Sequence, residues 1–86
     1  MALDFPNQSR SFDAKRRCVR FWGHDDACEV SFVVEEDVFR LFDRGTPADE
    51  DGILKTFDSN RERILGAARK AYSRRGTFYT LGASSF

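Results

Sequence analysis

The chain has 86 residues, room for one domain spanning 1–86 and not for a second. With 33% charged and 41% hydrophobic residues it has the composition of a soluble globular domain, and nine Phe, two Tyr and one Trp supply large apolar groups to a small core. Fourteen basic and fourteen acidic side chains cancel, which argues against a uniformly basic nucleic-acid binder, and no apolar run nears the ~20 residues that span a bilayer, which argues against a membrane partner.

Taken in chain order, ALDFP predicts a short strand that Pro6 ends, because proline brings no N–H to a ladder. The opening MALDFPNQSR has neither the basic region nor the apolar stretch of a signal peptide, so a cytoplasmic location is expected. NQSRSFDAKR reads as loop. RCVRFWG and ACEVSFVV then alternate, with Val19 and Phe21 on one face and Val30, Phe32 and Val34 on the matching one. Between them GHDDA has the composition of a turn. A two-residue loop at His24-Asp25 pairs Val19 with Val30; a four-residue loop from His24 to Ala27 pairs Phe21 with Val30. Both keep the apolar sets together, and a slip by one residue would not. The segment is predicted to be a hairpin.

EEDVFRLFD follows, with Val38, Phe39 and Phe42 at helical spacing, acids in the first turn and Gly45 as its end. TPAD predicts a new helix start, with Thr46 as N-cap and Pro47 as the first helical residue. Leu54, Phe57, Ile64, Leu65, Ala68 and Tyr72 recur at spacings of three, four and seven, which implies one long helix or two with a break near DSN. Gly52 and Gly66 are expected to mark frayed or closely packed points, Gly76 to end the helix, and TFYTL to form a last strand. The predicted fold is α+β in the order β-β-α-α-β, with an extra short N-terminal strand: a small antiparallel sheet carrying two helices on one face. Phe21, Phe32, Phe57 and Ile64 are its expected core.

The stretch CVRFWGHDDACE holds the only His, the only Trp and both Cys, the residue types from which a reactive or metal site would be built. Cys18 and Cys28 have opposite parity, which points their side chains to opposite faces and forbids a disulfide. Cys28 shares parity with Val30 and reads as a small core residue; Cys18 reads as a partly exposed thiol whose pKa Arg17 and Arg20 lower. His24, Asp25 and Asp26 are consecutive at a turn and diverge, unlike the spaced ligand pairs of a metal site. No catalytic, metal or cofactor set is implied. The hairpin's other face, Arg16, Cys18, Arg20, Trp22, Glu29, Ser31 and Val33, stays open if helices cover one side only.

Charge is segregated along the chain: +3 over residues 1–24, −8 over 25–58 and +5 over 59–86. Part of this suits helix dipoles, acids first and ARKAYSRR last. Arg16, Arg20 and Trp22 on the hairpin, with Arg69, Lys70, Arg74 and Arg75 after the long helical segment, form one candidate interaction surface if the last strand lies beside the first hairpin strand. Arg61, between Phe57 and Ile64, is expected to snorkel or to anchor a carboxylate or backbone group.

MALDFPNQSRSFD, VRFWGHD, FDSNRERI, AARKAY and a closing aromatic strand give the chain a further character. It resembles a family of small bacterial proteins known as domain of unknown function 1488, through VRFWG and the spacing of Phe57, Asn60, Arg61 and Ile64. The resemblance covers nearly the whole chain and implies a compact α+β fold in a bacterial cytosolic protein, with no activity, cofactor or catalytic residue attached. The chain departs from it where Ser85, not an acid, precedes Phe86. A non-enzymatic protein-interaction module therefore leads, with an unidentified protein or a second copy as partner. A nucleic-acid-binding accessory protein using the basic surface and Trp22 is the alternative, and a small enzyme comes third.

Overall fold

A computed structural model describes residues 3–6, 9–26 and 28–86. The strands are β1 (Leu3–Asp4), β2 (Arg10–Asp13), β3 (Cys18–Asp25), β4 (Cys28–Glu35) and β5 (Phe78–Leu81). The helices α1 (Glu36–Phe42), α2 (Glu50–Ser59) and α3 (Arg61–Ala71) lie between β4 and β5, and a short 3-10 turn follows at Ala83–Ser85. The class is α+β with a mostly antiparallel sheet, as the sequence predicts; the helices number three rather than two, and a second N-terminal strand is present.

Both β1 and β2 pair with the same edge of β3, then come β4 and β5. β2 falls in the segment predicted as loop. Its sequence RSFD carries a single apolar residue and no alternation to detect; only the ladder from Arg10–Phe21 to Asp13–Cys18 makes it a strand. The hairpin pairs Cys18 with Glu35 through to Asp25 with Cys28, which leaves positions 26 and 27 as the connection. The turn is thus two residues further on than the first register expected, and the parity is kept. Asp26 has φ 55, a left-handed value that Asp tolerates better than most residues. Ala27 lies outside the described residues.

α1 ends at Asp43, in extended backbone, and not through a left-handed glycine at Gly45. Thr46 does not cap α2 either. Its hydroxyl donates to the Asp43 carbonyl at 2.8 Å, closing the end of α1, while Asp49 caps α2 by accepting from the Gly52 N–H at 2.8 Å. Two residues capable of capping stand near each other here, and the carboxylate at Asp49 takes the helix. The predicted break near DSN is real: Asn60 sits between α2 and α3 with φ −118 and ψ 20, and its side-chain amide donates back to the Thr56 carbonyl at 2.9 Å. Gly52 is closely packed, since a Cβ there would fall 2.7 Å from the Pro47 ring, whereas Gly66 faces open space. Gly76 lies beyond α3, which closes at Tyr72.

The helices cover one face of the sheet. Val19, Phe21, Val30, Phe32, Val34 and Leu81 point into that layer and meet Val38, Phe39, Ile53, Phe57, Ile64 and Ala68, all essentially without solvent contact. Phe21 stacks on Phe32 at 5.2 Å between ring centroids and takes the edge of Phe57 at 5.4 Å. The expected core residues Phe21, Phe32, Phe57 and Ile64 are all in it. Arg61 does what its position predicts: its guanidinium lies 5.1 Å over the Phe57 ring and reaches Asp58 at 3.0 Å. No helix of the described residues is long and apolar enough to cross a membrane.

β5 does not return beside β3. It runs parallel to β4, with Ser31 level with Phe78 and Val34 with Leu81, so the chain crosses over through all three helices before rejoining the sheet. The Ser31 N–H donates to the Thr77 carbonyl at 2.7 Å; the alternation of a parallel ladder then turns the main chain of Phe78 and Thr80 toward the outer edge.

Candidate interaction surface on the bare side of the sheet

The opposite face carries no helix. Alternation brings Cys18, Arg20, Trp22 and His24 of β3 to it, with Glu29, Ser31, Val33 and Glu35 level with them on β4. Register adds Ser11 and Asp13 from β2, and Phe78 and Thr80 from β5. Phe78 is 54% exposed, one of two large apolar side chains so open among the described residues, the other being Leu41 on α1. Trp22 is half-buried. Arg16, from the turn between β2 and β3, joins Asp13, Cys18, Arg20, Val33 and Phe78 around a hollow of about 200 Å³.

The two thiols are placed by cover and not by parity. Cys28 does share the helical face with Val30, but it stands at the hairpin tip beyond the helices and is exposed. Cys18 lies on the bare face and is buried, beneath the groups that ring the hollow. Both assignments from sequence are therefore reversed. Burial pushes the Cys18 thiol pKa up, helped by Asp13, and this outweighs the pull of Arg16 and Arg20. Arg17 plays no part there. Left-handed at φ 54, it turns to bind Glu36 at 2.7 Å and the Ala48 carbonyl at 2.6 Å.

Of the residues grouped by sequence into one basic surface, Arg16, Arg20 and Trp22 do share the bare face. Arg69, Lys70 and Arg74 do not join them, because β5 pairs with β4. Arg69 stands 5.1 Å over the Phe5 ring, and Phe5 packs on Phe21 and Phe32, so Arg69 belongs to the helical side. Lys70 flanks a hollow with Arg63 and Phe86, and Arg74 points to Asp25 at 3.8 Å. Arg75 lies in the loop before β5. Glu35 and Phe78 were missed as members of the bare face. Phe78 was legible, since Thr77, Tyr79 and Leu81 alternate against it, but nothing local says which neighbour the strand joins.

The family-like residues assemble elsewhere, at the joint of α2 and α3. Phe57 and Ile64 are buried there, while Asn60 and Arg61 line an open groove of about 740 Å³ with Arg10, Asp58, Ser59, Glu62 and Arg63. Arg10 of β2 grips Asp58 through two bonds of 2.9 and 2.8 Å, and Arg61 holds the same carboxylate at 3.0 Å. Those guanidinium groups keep the Asp58 pKa below its ordinary value. The spacing of Phe57, Asn60, Arg61 and Ile64 thus reads as a brace across the helix joint, two core anchors with Arg61 holding Asp58, and it is Arg10 of β2 that ties this joint to the sheet.

The crystal structure of a protein of unknown function from the DUF1488 family of Shewanella loihica PV-4 shares 16% of residues with this chain. It covers 91% of this chain and 90% of its own, with a TM-score of 0.75, a likeness that shows a common fold. A search of curated proteins finds no match. The family model described as protein of unknown function (DUF1488) matches residues 3–81, and the chain belongs to that family.

Proposed function

We propose that this protein is a non-enzymatic interaction module that docks through the bare face of its sheet, with a second copy of itself as the partner. One observation carries the reading. Helices seal one side of the sheet, while the other presents Phe78, half-buried Trp22 and charges of both signs to solvent. Apolar surface left open and rimmed by polar residues is the kind of surface at which proteins dock. The mixture of Arg16 and Arg20 with Glu29 and Glu35 suits a protein surface better than a polyanion, whose phosphates would meet both carboxylates.

The test runs light scattering and fluorescence anisotropy side by side over a salt series. A mass that rises with protein concentration and falls with salt is expected, with no labelled RNA or DNA retained at low salt. Nucleic-acid binding that weakens steeply with salt, and by about 1 to 3 kcal/mol on Trp22→Ala, would replace this reading with the nucleic-acid one.

A further inference from the structure

The bare face is striped. Down β3 and the turn before it run Arg16, Arg20 and His24, with Asp13 of β2 beside the two arginines; down β4 run Glu29 and Glu35. Among the described residues none of Arg16, Arg20, Glu29 and Glu35 has an ion-pair partner within the chain, although Arg10, Arg17, Arg40, Arg61 and Arg74 all do. An isologous contact sets the same patch on both copies, and in the aligned class of sheet packing the stacked strands stay within about 30° of one another. Two axes satisfy this. An axis across the strands lays β3 on β3 and like charge on like charge. An axis along the strands lays β3 of one copy on β4 of the other and keeps every residue at its own level.

Resting on the reading above, we infer that two copies join through their bare sheet faces about a two-fold axis parallel to β3 and β4; Arg20 of each then comes over Val33 of the other and reaches its Glu35 diagonally, two residues along, with Arg16 approaching the same carboxylate from the turn. The register fixes the remainder. Cys18 is level with Glu35, Trp22 with Ser31 and His24 with Glu29, so Trp22 comes over the other copy's Ser31 and His24 over its Glu29. Strands of eight residues span about 26 Å and four strands about 19 Å across. That gives a projected face on the order of 500 Å², below the ~800 Å² per partner of a standard interface, so the dimer is a weak one in which charge decides the register.

The test is a pair of charge reversals at exposed positions, Arg20→Glu and Glu35→Arg, examined by analytical ultracentrifugation with circular dichroism as the check on folding. Each variant alone faces its own kind with like charges twice over, and its self-association should weaken more than about tenfold. Mixed in equal amounts, the two variants restore opposite charges between positions 20 and 35 on both sides of the axis and should form a heterodimer. A mixture that stays monomeric, or single variants that dimerise as the wild type does, would overturn the inference. In the second case, loss of the dimer on Thr80→Pro, which removes an outward N–H from β5, would assign the contact to the sheet edge; self-association would stand while the face and its axis would not. A wild type monomeric at every concentration would sink the reading and the inference together.

Discussion

At the end of α3 the Tyr72 hydroxyl donates to Asp25 Oδ2 at 2.6 Å, tying the helical layer to the hairpin tip. The bond to that carboxylate, with burial behind it, lifts the phenol pKa to about 12. A raised folded pKa means stability that is complete below the ordinary tyrosine value near 10 and is lost as pH climbs toward 12. Thermal unfolding followed from pH 9 to 12 should therefore show a steeper alkaline decline for the wild type than for Tyr72→Phe, and parallel curves would show the bond to be idle. The thiols give a second expectation at this scale. Exposed Cys28 should react with a maleimide-type reagent well before Cys18, which is buried and has its pKa pushed up. Equal rates on the folded chain would mean that the hollow around Cys18 is open. Neither outcome was legible in the sequence, because parity tells which face a side chain takes and not what lies over that face.

Two glycines on neighbouring helices make opposite demands. Gly52 in α2 leaves no room for a Cβ, which would meet the Pro47 ring at 2.7 Å, and a proline ring cannot swing aside. Gly52→Ala should thus destabilise by about 1 to 3 kcal/mol despite its better helix propensity. Gly66 in α3 has nothing within 4 Å of the same atom, so Gly66→Ala should stabilise by about 0.5 to 1 kcal/mol. Chemical denaturation of the pair checks both signs, and a stabilised Gly52→Ala would mean that the Pro47 contact yields. Elements with a strong periodic signal were legible: the hairpin from its alternating Val and Phe, and α2 and α3 from the apolar ladder that Phe57 and Ile64 anchor. β2 was not, because a polar edge strand owes its form to the partner ladder. The start of α2 was misread because Thr46 and Asp49 both suit a cap, and they are separated by tertiary use: the Thr46 hydroxyl is spent on the end of α1, which leaves Asp49 to accept from the Gly52 N–H. The grip of Arg10 on Asp58 joins residues 48 apart, for which local sequence carries no signal.

For the molecule as a whole, the segregation of charge along the chain does not become segregation by face, since β5 lies beside β4 and leaves Arg69 and Lys70 with the helices. The same placement makes β5 indispensable. Leu81 is fully buried and Tyr79 stacks on Phe32 at 5.6 Å, so a chain stopped after Thr77 should lose cooperative unfolding and associate. A sharp thermal transition in that shortened chain would show β5 to be an accessory. The parallel pairing of β4 with β5 also has a consequence in time. The hairpin closes locally, Asp25 against Cys28, whereas Ser31 must wait for Phe78, 47 positions further on. Loop-closure entropy sets the second event about 2 kcal/mol behind the first, and non-local strand pairing is correspondingly slow. During synthesis and refolding, β4 therefore spends an interval with one side unsatisfied, a row of Val and Phe residues next to open backbone groups. Crowded refolding should suffer from this interval more than the finished protein suffers from any surface it displays.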